Sequence, residues 1–158
     1  MKKIILISFI LSLYGCATSY TSSGLFGGYS DTQLDKDVFK IHFKGNGFTS
    51  KEKADDYALL RSAEFTLKNS FNYFIIINSG SDTTHSSYTS PYQTYTTYNA
   101  GQSNSVTYGG QTTKFSKPEA TYTIKCFSEK PSDQSNAYNA KFICDSIGNK
   151  YQLTCLSK

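Results

Sequence analysis

The stretch TSKEKADDYALLRSAEFTLKN, residues 49–69, decides the fold, because its apolar side chains recur at steps of three and four. This spacing predicts a helix over about residues 50–69 that packs one apolar face on a sheet. Thr49 and Glu52 have the spacing of a capping box, which predicts that the helix begins at Thr49. The residues of the apolar face are Tyr57, Leu60, Ala63, Leu67 and Phe71, with Ala54 and Ala58 beside them.

The stretches on either side of this helix have the patterns of strands. Residues Asp37–Lys44 alternate, with Phe39, Ile41 and Phe43 on one side, which predicts a half-buried strand. After the helix, FNYFIIIN (residues 71–78) is almost continuously apolar, which predicts a central strand covered on both faces. If these two strands are neighbours in the sheet, they are parallel and the helix between them makes a right-handed crossover.

The remaining patterns complete an α+β fold class. Residues Glu119–Ser128 alternate and predict another strand, and Asn136–Ile147 predict a second helix that Gly148 caps. Residues Tyr151–Leu156 either return as a short strand or pack over the core. We therefore predict a single small domain with a mixed sheet of three to five strands, a long helix over about 50–69 on one face, and a shorter C-terminal helix over about 136–147.

One central segment contains no charged residue and many tyrosines. Asp, Glu, Lys and Arg are absent between Thr83 and Thr113. The segment offers too little apolar surface to offset the entropy of ordering, which predicts a long mobile loop at about 79–104 and a small hairpin over Val106–Thr113. Its tyrosines combine a large ring with a hydroxyl group, so the loop is the best candidate binding surface, with a passive insertion as the alternative. These tyrosines are Tyr88, Tyr92, Tyr95, Tyr98 and Tyr108.

The N-terminus has the pattern of an export signal. Lys2 and Lys3 precede an apolar run over Ile4–Leu13, which is too short for a membrane-spanning helix. The run ends in Gly15-Cys16, which resembles the lipobox of bacterial lipoproteins. The resemblance implies removal of residues 1–15, a diacylglycerol thioether on Cys16, and acylation, for instance by palmitate, of the new amino terminus. An ordinary signal peptide with a chance cysteine is the alternative.

The residues after the signal indicate where the protein lies. Ala17 follows the cysteine, where aspartate would resemble a signal for inner-membrane retention, so the sequence favours the outer membrane facing the periplasm. Residues 16–30 are rich in Ser, Thr, Gly and Tyr, which predicts a lipidated cysteine on a flexible tether, or alternatively a short edge strand, before a domain over 31–158. The net charge of +4 falls to +2 without Lys2 and Lys3, which is too small to indicate a nucleic-acid partner.

Three cysteines remain beside Cys16. An exported compartment permits disulfides, and Cys144 with Cys155 is the first choice because only about ten residues separate them. Pairing of Cys126 with either of the others is the alternative. No spacing of cysteines and histidines is typical of a metal site, and no cofactor is predicted.

No residue pattern predicts a catalytic site. His42 and His85 are interpreted as surface histidines. Asp55 and Asp56 diverge by about 100° on a helix, near a helix start that favours acidic residues. Arg61 and Glu64 are one turn apart and are interpreted as an ion pair on the helix surface.

Several segments together resemble the bacterial lipoproteins known as the CC0125/CC1285 family. They are Gly28–Asp31, Leu34-Asp35, Phe43–Ser50, Asp56–Glu64, Ser128–Pro131 and Ala137–Ala140. The tyrosine-rich segment and the cysteine-bearing tail depart from the family. The resemblance implies an envelope lipoprotein of uncharacterised activity, and it brings no catalytic or binding residues with it.

These observations predict a non-enzymatic envelope lipoprotein with a binding or structural role. Its expected partners are membrane lipid, through acylated Cys16, and an envelope protein or peptidoglycan. The first alternative is recognition of cell-wall glycan or protein through the tyrosine-rich loop. The second is a hydrolase or transferase whose site is assembled from distant residues.

Overall fold

The computed structural model describes residues 18–155, so Cys16 and the predicted signal peptide lie outside the described residues. The described chain forms two compact units, one of residues 18–84 with 117–155 and one of His85–Ser116. The predicted α+β class is confirmed, because a five-stranded sheet, a two-stranded sheet and two helices are present within these residues.

The described residues form seven strands and two helices. They are β1 (Gly28–Gln33), β2 (Val38–Lys44), α1 (Lys51–Lys68), β3 (Tyr73–Thr89), β4 (Gln93–Asn99), β5 (Gln102–Tyr108), β6 (Thr112–Phe127), β7 (Tyr138–Asn139) and α2 (Ala140–Tyr151). The larger sheet has the strand order β1-β2-β6-β3-β7, and β4 pairs with β5 in the smaller sheet.

The strand order corrects the predicted crossover. Strand β6 lies between β2 and β3, so the two strands that α1 connects are not neighbours. β2 pairs antiparallel with both β1 and β6, and Phe39 lies opposite Ile124 in the second pair. The apolar side chains of β6 lie in register with those of β2, which makes β6 the neighbour of β2. The alternation within β2 does not show which distant strand will pair with it.

The core lies between one face of the larger sheet and the two helices. Phe39, Ile41 and Phe43 are buried against the apolar face of α1, as their alternation predicts. The predicted coverage of residues 71–78 on both faces holds only for the adjacent Phe74 and Ile75, which are 0% and 6% exposed, and it is wrong at Ile77, which is 52% exposed.

Both helix starts differ from the prediction. Ser50 rather than Thr49 caps α1, since the Ser50 hydroxyl accepts a hydrogen bond from the Lys53 amide at 3.1 Å. Thr49 is buried, and its hydroxyl instead accepts from the amides of Asn46 and Thr18. α2 begins at Ala140 instead of about residue 136, because β7 pairs with β3 immediately before it.

The C-terminal end of α2 also lies further along the chain than predicted. Gly148 is a buried residue inside the helix, and Gln152 forms the cap in a left-handed conformation (φ 55°). Residues after Tyr151 form no strand within the described chain, and Leu153 packs on the core. A disulfide joins Cys144 to Cys155, with their Cα atoms 5.7 Å apart, and fixes this tail to the helix.

The third cysteine lies in the core. Cys126 is a free, buried thiol whose Sγ atom lies 3.4 Å from the Thr66 hydroxyl. Burial raises the pKa of the Cys126 thiol to about 11. The thiol therefore stays protonated at neutral pH and has the character of a packing group.

The residues before β1 do not form a flexible tether from Thr18 onward. Thr18 is 3% exposed, and Tyr20 packs on both parts of the core. Gly27 and Gly28 have φ values of 100° and 121°, and a Cβ atom at Gly27 would lie 2.2 Å from the Lys44 carbonyl oxygen. Two glycines thus let this segment lie directly on the domain and enter β1, an edge strand that begins at Gly28 and so overlaps the segment for which a short edge strand was the alternative.

The tyrosine-rich segment forms strands where a long loop was predicted. β4 and β5 form a hairpin whose two turn residues, Ala100 and Gly101, have φ values of 48° and 82°. Positive φ at both positions is typical of the type I′ turn that suits the twist of paired strands. The hairpin predicted over Val106–Thr113 is wrong, because β5 pairs with the preceding strand, β4, and not with the residues that follow it. Gly109 and Gly110 lie in the connection between β5 and β6.

Candidate functional site

A partly buried group of charged and aromatic residues joins α1 to β1 and to the segment before β1, and we call it the Arg61 cluster. It consists of Tyr20, Tyr29, Asp31, Arg61 and Glu64. The predicted surface position of the ion pair is wrong, because Arg61 is 9% exposed and Glu64 is 2% exposed. Both Nε and Nη2 of Arg61 donate to Asp31 Oδ1, at 2.9 and 2.7 Å.

The other contacts of the Arg61 cluster fix the N-terminal segment. Glu64 Oε2 accepts hydrogen bonds from the Tyr20 hydroxyl at 2.6 Å and from Arg61 Nη1 at 3.4 Å. The guanidinium group also lies over the ring of Tyr29, 4.2 Å from its centroid. Since the charged groups are directed at one another, the cluster holds the segment, β1 and α1 together, and its residues are positioned for stability.

The phenol of Tyr20 makes the stability of the fold sensitive to alkaline pH. Burial and the hydrogen bond to Glu64 raise the pKa of Tyr20 far above its ordinary value. Above about pH 10 the unfolded chain loses this proton while the native chain keeps it, so the free energy of unfolding should fall by up to about 1.4 kcal/mol per pH unit. Urea unfolding at a series of pH values from 8 to above 10 measures this slope.

Matched variants isolate the contribution of Tyr20 to that slope. Tyr20→Phe should reduce the slope, whereas Tyr98→Phe, at an exposed tyrosine, should leave it unchanged. In Tyr20→Phe the free energy of unfolding should still fall somewhat with pH, because burial also raises the pKa of Tyr122, to about 12. An equal slope in wild type and Tyr20→Phe would contradict the buried position of this phenol.

His42 lies on the face of the larger sheet opposite the helices. Its Nδ1 atom is 2.9 Å from the Thr121 hydroxyl, and its Nε2 atom is 3.8 Å from Glu119 Oε2. Lys44 Nζ lies 3.2 Å from the other oxygen of the same carboxylate. Sequence reasoning identified His42 as a surface residue and missed these partners, which share its face because β2 pairs in register with β6.

The hydroxyl, imidazole and carboxylate on this face do not have the geometry of an activated nucleophile. The distance between His42 and Glu119 exceeds hydrogen-bond range, so the carboxylate does not orient the ring. His42 and Thr121 are directly opposite each other in the strand register, which by itself accounts for their contact. A shallow groove lined by Ser30, Thr32, Lys40, His42 and Thr121 accompanies them.

The remaining titratable candidates are separated from one another. His85 Nδ1 lies 3.2 Å from the Ser116 hydroxyl, in the smaller unit. Asp56 accepts from Lys150 Nζ and from the Tyr151 hydroxyl, each at 2.7 Å, and so joins the end of α2 to the start of α1. Burial raises the pKa of the neighbouring Asp55. The two carboxylates therefore have different surroundings and do not form an acid–base pair.

The hairpin of β4 and β5 presents three of the five predicted tyrosines to solvent, whereas Tyr88 lies at the end of β3 and Tyr92 just before β4. Tyr95 lies opposite Val106 and beside Tyr108, with the two tyrosine rings 6.0 Å apart, which gives one face an aromatic strip. The other face carries Tyr98 and pairs of hydroxyl groups, such as Thr94 with Thr107 at 2.9 Å. All five predicted tyrosines are exposed. The hairpin therefore combines exposed rings with neutral hydrogen-bonding groups.

Comparisons with protein-family models, with curated proteins and with solved structures found no match for this chain. The resemblance to a lipoprotein family therefore stays a prediction. Within residues 18–155, no three His, Cys, Asp or Glu side chains are grouped closely enough to hold a metal ion. Neither of the two helices that the structure describes has the length and apolar character needed to cross a bilayer.

Proposed function

We propose that this chain is a lipid-anchored protein of the bacterial envelope that binds a partner, without catalysis, through the hairpin of β4 and β5. The observation that supports the binding role is that five exposed tyrosines lie within the smaller unit, His85–Ser116. The sequence between Thr83 and Thr113, which contains all five, has no Asp, Glu, Lys or Arg. The anchor rests on the lipobox pattern that ends at Cys16.

The chemistry of the hairpin suits an uncharged ligand. Tyrosine rings contact the apolar faces of sugars, while their hydroxyl groups and the neighbouring amides form hydrogen bonds. Glycan strands of the cell wall lie in the compartment that the anchor implies, and they offer these groups in a regular series. We therefore propose cell-wall glycan as the ligand class, with an envelope protein as the second candidate.

Sedimentation with purified peptidoglycan sacculi tests this proposal. Wild-type protein should pellet with the sacculi, and replacing Tyr95, Tyr98 and Tyr108 together with threonine should weaken binding at least about tenfold. This estimate follows because each lost ring contact costs about 0.5–1.5 kcal/mol and 1.4 kcal/mol is a factor of ten. Threonine keeps a high strand propensity, so the hairpin should still form.

A second triple variant separates ring contacts from hydroxyl contacts. Replacing the same three tyrosines with phenylalanine keeps the rings and should retain most of the binding. Wild-type protein that stays in solution with sacculi would reject glycan as the ligand. Cross-linking from position 98 to an envelope protein would then identify the second candidate, and the absence of any hairpin-dependent cross-link would reject the binding role.

A further inference from the structure

Three large apolar side chains are exposed on two segments that hydrogen bonds connect to Thr18, the first described residue, and we call these side chains the Phe26 patch. Leu25, Phe26 and Phe48 are 100%, 81% and 73% exposed. Leu25 and Phe26 form the tip of a tight turn closed by hydrogen bonds between Gly24 and Gly27, at 2.9 and 3.2 Å. Exposing three such side chains to water is unfavourable, which indicates a surface that meets an apolar environment.

The two parts of the Phe26 patch are joined through Thr18. The Thr18 hydroxyl donates to the Phe26 carbonyl oxygen at 3.1 Å and accepts from the Asn46 amide at 2.8 Å. The Asn46 side chain in turn accepts from the Phe48 amide at 3.0 Å. The apolar tip and Phe48 therefore lie on either side of a buried residue at the start of the described chain.

The position of Thr18 indicates what covers the patch. Thr18 follows Cys16 by two residues, and two extended residues span at most about 7 Å. The headgroup region on each side of a bilayer is about 5–8 Å thick. Acyl chains on Cys16 therefore hold Thr18, and the apolar side chains around it, within reach of the boundary between headgroups and hydrocarbon.

We propose that Leu25, Phe26 and Phe48 insert into the lipid leaflet beside the acyl chains of Cys16. The domain is then held directly on the membrane in one orientation, because both the chain at Thr18 and the turn at Gly24–Gly27 are fixed to its surface. The occupant is phospholipid, since the chain leads from the patch to the lipidated residue. This inference rests on the proposed function, because it requires the lipid at Cys16.

Tryptophan fluorescence tests the insertion, since the chain contains no tryptophan of its own. Phe26→Trp and Phe48→Trp are made in the full-length gene, and the lipidated products are reconstituted in vesicles of phosphatidylethanolamine and phosphatidylglycerol. Half of the samples carry brominated acyl chains, which quench nearby tryptophan. We expect about twofold quenching at both positions, because insertion to the acyl boundary places an indole within a few ångströms of the bromine.

Phe142→Trp is the matched control. Phe142 is an exposed phenylalanine near the start of α2, where the Ala140 amide bonds to the Asn72 carbonyl oxygen just beyond the end of α1. Phe48 precedes the start of α1, and that helix of 18 residues is about 27 Å long. The control position therefore lies well away from the Phe26 patch, and its tryptophan should be quenched less than those at positions 26 and 48.

Three other outcomes would overturn the proposal in distinguishable ways. A lipidated sample whose tryptophan at position 26 or 48 is not quenched, or is quenched no more than the control, overturns the insertion alone. A blue-shifted tryptophan emission without quenching by bromine would show that the patch is covered by protein and not by lipid. A sample whose intact mass shows no lipid on Cys16 overturns the proposed anchor, and the inference falls with it.

Discussion

Replacing Arg61 with methionine should lower the free energy of unfolding by about 3–5 kcal/mol, because it removes the guanidinium group that contacts the buried carboxylate of Glu64 and the half-buried carboxylate of Asp31. Glu64 is 2% exposed and loses the guanidinium group beside it, and Asp31 loses both of its hydrogen bonds from Arg61. Methionine keeps an unbranched apolar stem, so the loss of charge is the main change. Urea unfolding at pH 7 measures the difference.

Two further variants show whether the effect comes from the buried charge. Lys68→Met removes an exposed cation from the last turn of the same helix and should change stability by no more than about 0.5 kcal/mol. Adding Glu64→Gln to Arg61→Met should restore part of the loss, since it removes the negative charge of a buried side chain that no longer contacts Arg61. A loss below about 1 kcal/mol in Arg61→Met would show that the cluster is solvated and does not hold the N-terminal segment.

Replacing Cys16 with serine should abolish incorporation of labelled palmitate by cells that express the full-length chain. A serine hydroxyl does not take the place of the thiol in forming the thioether, so lipid is not attached. Each buried methylene contributes about 0.8 kcal/mol to membrane affinity, so losing the acyl chains removes most of the attachment. In-gel detection of the labelled lipid measures this effect.

Cys126→Ala is the matched cysteine control for this labelling. It removes a buried thiol and leaves both the disulfide and Cys16 in place, so full labelling is expected. Label retained in Cys16→Ser, or absent from the wild type, would contradict lipid attachment at this residue.

Local periodicity predicts the elements that depend on neighbouring residues. The apolar steps along α1 and the alternation in β2 place Leu60, Phe39 and Ile41 in the core, where the structure has them. Each pattern records only which side of its own element is apolar. Helix ends were less well predicted, because Thr49 and Ser50 are both able to cap and only the packing of Thr49 against Thr18 decides between them.

Contacts between distant residues could not be read from the sequence. Asp31 and Tyr20 lie 30 and 44 residues before their partners in the Arg61 cluster, so neighbouring residues suggested only an exposed pair on one helix. The insertion of β6 between β2 and β3 is of the same kind. In each case the deciding information is a partner that sequence spacing does not specify.

The hairpin was missed for a different reason. Its low apolar content indicated disorder, but the strands are paired by backbone bonds and by hydroxyl pairs such as Thr96 with Ser105. β4 itself has no apolar alternation, since Tyr95 and Tyr98 lie on opposite faces, and the local signal for the turn was Gly101, which adopts a positive φ. Composition describes the ability to form a core, and a hairpin outside the core depends more on turn chemistry.

The measurement that tests the central claim most directly is the intact mass of the protein extracted from the membranes of cells that express the full-length chain. The account predicts a chain that begins at Cys16 and carries the added mass of a diacylglyceryl group and one further acyl chain. A mass that corresponds to a free thiol at Cys16, or to a product that still contains residues 1–15, would contradict the account.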